Sequence, residues 1–343
     1  MHRRTLSRLA FAATATTLIS TSVFFHSAVW AAAPVLRVMV HDSFDLPKPL
    51  LAQFEKDAGV KLSIIKGGDA GEMLNKLILT KAKPVADVVY GIDNTLSAKA
   101  TAAAVLVPGQ GAAGPLGTAL TAVDYGYVTL NLDKAAVAKK GVALPQSLQD
   151  LTQPAYKKWL VVENPATSSP GFAFLLATIA GLGEEQAFDW WARMRANGLK
   201  VSKGWTEAYY THFSRNGGAY PMVVSYASSP AAEVFYSKDK LTESPTANLF
   251  LKGAVYRQME GVGLVAGGKQ PEAAQKFVAF MTSAPVQEAL QTTMWMFPVQ
   301  ANTPRAEVMR HAPEPASFES LPAEQIAEKS AQWIARWTKV VLK

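Results

Sequence analysis

The sequence predicts an α/β fold of two lobes that share chain crossings, and three observations carry that expectation. Strand-sized apolar runs rich in Val and Ile alternate with amphipathic helix-sized runs over most of the chain. Almost every strand-sized run ends in a polar or glycine-rich turn, the place where open α/β sheets build ligand clefts. The 343 residues show no repeat and no low-complexity linker after the first 31, and they exceed one simple core.

Residues 1–31 read as an export signal. Arg3, Arg4 and Arg8 form a positive start, Leu9 to Phe25 an apolar stretch broken by Thr and Ser, and Val29 and Ala31 a small-residue cleavage site, so that the mature chain starts near Ala32. Arg3-Arg4 raises the twin-arginine route, although its flanks match poorly. The polar interruptions argue against a membrane anchor, and no other run reaches about 18 apolar residues. There is no cysteine, which excludes disulfides, thiolate metal sites and a lipidated cysteine. The formal charge is +7, of which three positive charges fall in the leader, leaving +4 beyond it. The basic residues are scattered, so nucleic-acid binding is not supported.

The elements follow in order. Val35 to Val40 reads as a strand ending in His41-Asp42-Ser43-Phe44, Leu50 to Ala58 as a helix and Val60 to Ile65 as a second strand. A turn through Gly67-Gly68-Asp69-Ala70-Gly71 leads to a helix over Glu72 to Thr80. A third strand, Ala86 to Tyr90, is followed by a turn, Gly91-Ile92-Asp93-Asn94. Gly109-x-Gly111-x-x-Gly114 matches a dinucleotide fingerprint by letter. Pro108, Pro115 and Gly117 keep a helix from opening there, so a surface loop is the better reading. Val123 to Asn131 reads as a strand crossing from one lobe to the next.

Leu160 to Glu163 is an apolar strand entering the turn Asn164 to Ser169, with Ser169 as N-cap and Pro170 as first residue of a helix that ends at Gly181 and Gly183. The hydroxyls of Thr167, Ser168 and Ser169 crowd the start of that helix, where free N–H groups and the helix dipole favour an anionic or strongly polar ligand. A helix over Glu184 to Arg195 carries the core pair Trp190-Trp191. Leu199 to Val201 is strand-like, and Lys203 to Tyr210 turns into a helix. Pro221 to Tyr226 is a strand whose end, Ala227-Ser228-Ser229-Pro230, repeats the earlier pattern of paired serines and proline. Glu260 to Val265 returns the chain to the first lobe. Helices follow at 272–282 and Val286 to Gln291, then the aromatic loop Thr293 to Val299 and a helical end from Pro322.

The strand-end groups Asp42, Asp69, Asp93, Ser168, Ser169, Trp205, Tyr226, Ser228, Ser229 and Trp295 supply carboxylates, hydroxyls and aromatic faces. A nucleophilic hydrolase needs a base beside its nucleophile, and only His41, His212 and His311 remain beyond the leader. His41 with a cleft serine is the set to test. Tyr209-Tyr210 with His212 nearby offers hard oxygen ligands for ferric iron.

The chain resembles the thiamine-binding periplasmic proteins of ABC transporters, within the cluster that also includes ferric-iron and other type II solute-binding proteins. The resemblance spans the mature chain. It is carried by Asp42-Ser43-Phe44, Gly68-Asp69, Asp124-Tyr125-Gly126-Tyr127, Thr167-Ser168-Ser169-Pro170-Gly171, Lys203-Gly204-Trp205-Thr206-Glu207-Ala208-Tyr209, Ser225-Tyr226-Ala227-Ser228-Ser229-Pro230 and Trp295-Met296-Phe297-Pro298-Val299. It implies a two-lobed periplasmic-binding-protein type II fold, each lobe a mixed β-sheet flanked by helices, joined by hinge crossings. Lobe 1 would take residues 32–124 and 260–301, lobe 2 residues 125–259, and a C-terminal helical segment residues 302–343. It implies a periplasmic protein that is not an enzyme, needs no cofactor or metal, acts as a monomer and delivers thiamine, its monophosphate or its diphosphate to an inner-membrane permease. The implied site is Asp69, Ala70, Ser168, Ser169, Trp205, Tyr226, Ala227, Ser228, Ser229 and Trp295, with Asp42 and His41 beside it. Thiamine's cationic thiazolium suits aromatic faces, its aminopyrimidine suits stacking with Asp69 as acceptor, and its oxygenated tail suits the serines. His41 and Ala70 stand where such proteins tend to have tyrosine and glycine.

Overall fold

In the computed structural model, residues 33–109, 111, 112 and 114–343 are described; the expected export signal lies outside them. The strands are β1 (Val35–Val40), β2 (Lys61–Lys66), β3 (Val88–Asp93), β4 (Thr121–Asp133), β5 (Leu160–Glu163), β6 (Lys200–Ser202), β7 (Met222–Tyr226), β8 (Thr246–Leu249), β9 (Tyr256–Leu264) and β10 (Phe297–Pro298). The helices are α1 (Lys48–Ala58), α2 (Ala70–Leu79), α3 (Ser97–Ala102), α4 (Lys134–Lys140), α5 (Ser169–Leu182), α6 (Glu184–Ala196), the single turn α7 (Trp205–Glu207), α8 (Ser229–Phe235), α9 (Pro271–Met281), α10 (Ala284–Thr293) and α11 (Ala323–Trp337).

One sheet runs β2-β1-β3-β9-β4-β7-β5-β6, with β8 and β10 also paired to β4. Its two ends are parallel, β1 pairing β2 and β3, and β5 pairing β6 and β7. The centre is antiparallel. Tyr125 of β4 faces Met259 of β9 on one side and Phe297 of β10 on the other. Leu130 faces Leu249 of β8 and Val224 of β7. Val128 faces both Tyr226 and Tyr256. So β8 and β9 run along one side of β4, while β10 and β7 share the other. The two parallel ends are therefore joined through β9 and β4, β9 pairing β3 and β4 pairing β7, with β8–β9 as the return path beside β4.

Helix α5 is so apolar that eleven consecutive residues from Ser169 to Ile179 are buried; it packs with the buried Trp190 and Trp191 of α6 and with Trp333 and Trp337 of α11 in one core cluster. A second cluster joins β1 and β3 to α1, α9 and α10. The three fingerprint glycines, Gly109, Gly111 and Gly114, lie outside any helix or strand, as expected, and Gly111 lies so close to the Leu120 carbonyl that a side chain would collide with it. Among the described residues no helix is long and apolar enough to cross a membrane.

Several expected boundaries move. The turn expected at Gly91 to Asn94 is the end of β3, which continues to Asp93 past a register shift against β9. Gly91 makes this possible with a φ of 100°, and a Cβ there would lie 2.3 Å from the His41 ring. Helix α2 starts at Ala70, two residues early, because Asp69 caps it. The N-cap of α5 is Ser168, not Ser169, and Pro170 is therefore the second helical residue. The short helices α3 and α4 and the strand β10 inside the aromatic loop were not expected.

Candidate ligand-binding site

The ends of β1 and β7, the starts of α2, α5, α7 and α8, and the loop after α10 enclose a cavity of about 860 Å³. All of the site residues read from the sequence line it except Ser168 and Ala227. Ser168 is fully buried behind the wall, where its Oγ accepts from the Gly171 N–H at 3.4 Å. Ala227 packs in a cluster with Tyr127 and Phe297. The missed lining residues include Glu260, Tyr236, Met294 and Met296. Glu260 left a trace in the sequence: a carboxylate beginning the otherwise apolar run Gly261-Val262-Gly263-Leu264 is rare in a buried strand unless it is paired.

Asp69 is the hub of one wall. Its carboxylate accepts from the N–H of Ala70 at 2.7 Å, of Ser169 at 3.2 Å and of Trp205 at 3.0 Å. One side chain thus meets the starts of α2, α5 and α7. The position at α5 that the sequence left open to an anionic ligand is filled by the protein's own carboxylate. Burial pushes Asp69 above the usual carboxylate range, against the pull of these donors and of Ser168. Gly71 allows the approach: a Cβ there would lie 2.8 Å from the Thr167 backbone, and the Glu72 N–H donates to the Thr167 carbonyl at 3.0 Å.

Aromatic rings line much of the rest of the cavity. The Trp205 indole N–H donates to Ser225 Oγ at 2.8 Å, and Ser225 Oγ is 2.8 Å from Ser229 Oγ. The Trp205 ring stacks on Tyr209 at 5.0 Å and 22°. Trp295 holds a left-handed backbone, φ 59°, with its carbonyl accepting from the Ser228 hydroxyl at 2.5 Å. Its ring meets Phe235 and Tyr236, both exposed, edge-on at 5.3 and 5.5 Å. The Tyr226 hydroxyl donates to Gln258 Oε1 at 2.8 Å, and the amide of Gln258 donates to Ser169 Oγ at 2.6 Å and to Asp93.

Several acidic groups are buried nearby, and of Asp93, Glu163, Asp124 and Glu260 only Glu260 reaches the cavity lining. Burial raises the Asp93 carboxyl to about 6. Burial also lifts Glu163 well above its usual range, and both of its oxygens lack a hydrogen-bond partner. Glu260 lies 3.5 Å from His41 Nε2. The Tyr90 phenol lies 2.9 Å from Glu260 and 2.5 Å from Asp124.

Neither alternative chemistry is assembled. Ser169, Ser228 and Ser229 bond to Gln258, Trp295 and Ser225, and His41 faces a carboxylate, so no serine–histidine pair forms among them. The Tyr209 hydroxyl donates to Glu233 at 2.8 Å, while Tyr210 is exposed. Among the described residues no group of three or more His, Asp or Glu stands where it could hold a metal ion.

A two-ended sheet around one cavity of rings and carboxylates is the form of a protein that encloses a solute. The family model for bacterial extracellular solute-binding proteins matches residues 84–329, and the chain belongs to that family. It has the type II periplasmic-binding fold and is a binder, not an enzyme. It is 33% identical over 325 residues to the thiamine-binding periplasmic protein of Escherichia coli (strain K12), an alignment covering 90% of this chain and 94% of that protein. A solved structure of a periplasmic thiamin binding protein superposes with a TM-score of 0.80 at 30% identity, covering 90% of this chain and 96% of that one. A ferric binding protein from Campylobacter jejuni gives a TM-score of 0.72 at 17% identity, covering 89% and 99%, a likeness of fold alone.

Proposed function

We propose that this chain is the periplasmic substrate-binding component of an ABC importer, that it captures thiamine or a thiamine phosphate, and that it delivers its cargo to an inner-membrane permease. The observation that carries the reading is the pairing, in one cavity, of the Trp205, Tyr226 and Trp295 rings with the carboxylates Asp69 and Glu260. A flat cation gains about 0.5–2 kcal/mol from each aromatic face and more from a desolvated carboxylate. A neutral or anionic solute of that size gains neither. The relatives named as thiamine-binding support the choice of cation.

Capture works by closure of two lobes, residues 32–124 with 260–301 against 125–259, about the adjacent crossings β4 and β8–β9. Asp69 spans that division, since it caps its own helix and meets the backbone of Ser169 and Trp205. The molecule acts as a monomer, and residues 302–343 touch both lobes, α11 packing on α6 of one and on α3 of the other.

Tryptophan fluorescence titration tests the reading. Protein refolded free of carried-over ligand should be quenched by micromolar thiamine, and Trp205→Ala should weaken binding by more than about tenfold. Absence of any response to thiamine would remove the proposal; unchanged affinity in the variant would remove Trp205 from the site.

A further inference from the structure

The carboxylates on the cavity wall differ in what answers their charge. Glu72 is held by Lys203 at 3.0 Å and Glu233 by Arg215 at 2.9 Å, both permanent cations at neutral pH. Asp69 is held by three backbone N–H groups. Two are answered by histidines: Glu207 by His212 at 3.3 Å, where 47% of the Glu207 side chain is exposed, and Glu260 by His41, the buried pair of the two, with side chains only 6% and 13% exposed. At 3.5 Å the contact is an ion pair and a long one; His41 Nε2 makes no hydrogen bond.

The groups around this pair fix its charge state. The phenol of Tyr90 on β3 has one proton and two carboxylates in reach, Glu260 on β9 and Asp124 on β4, so one of them must bring its own. Burial, reinforced by Glu260, pushes Asp124 well above the carboxylate range. Burial works to raise Glu260 too, but His41 and Tyr90 outweigh it and hold its carboxyl below the ordinary value. For His41, burial pulls down, while Glu260 and Asp69 pull up more strongly; Lys66 on β2 opposes them, with its ammonium tied to the carbonyls of Asp42 and Phe44. The Tyr90 ring packs against the imidazole at 5.6 Å.

We propose that Glu260 is the residue that reads the positive charge of the cargo, and that His41 is its counter-ion in the ligand-free protein, so that uptake of the cation is coupled to loss of the His41 proton. The inference rests on the reading that the cargo is a cationic heterocycle. A second cation entering the cavity shares Glu260 with the imidazolium and repels it. Binding therefore lowers the His41 pKa, and by linkage protonation of His41 lowers affinity. Affinity rises with pH through the raised His41 pKa and levels off above it. Below it, affinity falls by up to about tenfold per pH unit, the limit for one competing proton.

The test is calorimetric titration of thiamine into full-length mature protein, from about pH 5.5 to about pH 8. Near neutral pH it is repeated in two buffers of different ionisation enthalpy. Proton release on binding and a positive slope of affinity against pH are expected in the wild type. In His41→Gln, and in His41→Asn should the first fold poorly, the ratio of affinities at the two ends of the range should collapse towards one, whatever the absolute affinity. Glu260→Gln should bind more than about tenfold more weakly and with no slope. Thiamine binding with a flat profile and no buffer dependence in the wild type, or a slope that persists in the His41 variants, overturns this inference and leaves the proposed function standing. No binding of thiamine at any pH overturns both.

Discussion

The chain starts two helices with the same four steps, strand, paired serines, proline, helix, and uses them differently. At Ser168-Ser169-Pro170 the first serine has an extended backbone, φ −119° and ψ 131°, which turns its Oγ back over the helix to cap Gly171. At Ser228-Ser229-Pro230 the first serine is already helical, φ −84° and ψ −12°, so it caps nothing. Its hydroxyl instead reaches the Trp295 carbonyl, and Ser229 joins Ser225 beneath the Trp205 indole. One start gathers backbone donors and is filled by Asp69; the other orients two indoles. Local sequence sets the helix start, and the conformation one residue earlier decides whether its hydroxyl serves the helix or the cavity.

The largest expected effect is at Asp69. Asp69→Ala strips acceptors from three N–H groups at once, and each buried donor left unpaired costs about 1–3 kcal/mol. A loss of about 3 kcal/mol or more should appear in urea unfolding of ligand-free protein, together with loss of most thiamine affinity. The variant also empties the start of α5, so sulfate should raise its unfolding midpoint more than that of the wild type. A cost no greater than that of Ser229→Ala would erase the distinction between the two helix starts.

That asymmetry shows where sequence reasoning stops. Alternation of strand and helix was visible in the residues, and so was the crossing strand β4, because period and length are local properties. Asp69 as a cap for α2 was missed, because the glycines around it read as a turn and put the helix start at Glu72. Its bonds to Ser169 and Trp205 lie 100 and 136 residues away and leave no local trace. The anion site expected at α5 failed for that reason: the free N–H groups are real, but their acceptor comes from another part of the chain. Likewise the extension of β3 through Gly91 depends on pairing with β9, and the aromatic shelf of Phe235 and Tyr236 under Trp295 depends on a backbone kink at φ 59° that no propensity predicts.

A smaller effect is expected on the aromatic side. Ser225→Ala removes the acceptor of the Trp205 indole N–H and the partner of Ser229, at a stability cost of about 1–2 kcal/mol. Because the stack on Tyr209 still holds the ring, thiamine affinity should fall severalfold and less than in Trp205→Ala. Equal losses in the two variants would mean that the hydrogen bond, and not the ring face, carries the contribution of Trp205.

The smallest effects compare the two leading serines directly. Ser228→Ala removes the hydroxyl that holds the Trp295 carbonyl while that residue sits in a left-handed backbone, a conformation that costs about 1 kcal/mol or more by itself. With the restraint gone the indole should lose its fixed place on the rim, changing the emission of the free protein and weakening thiamine binding severalfold, with a stability loss of about 1 kcal/mol. Ser168→Ala removes a cap whose bond is already long at 3.4 Å, so it should cost only about 0.5 kcal/mol. Ser168 lies behind the wall, and Asp69 continues to hold the Ser169 N–H in front of it. Thiamine affinity and tryptophan emission should therefore stay at wild-type values in Ser168→Ala. If that variant instead weakened binding as much as Ser228→Ala, the Ser168 hydroxyl would have to reach the cargo, and the division between a structural serine at α5 and a site-building serine at α8 would be lost.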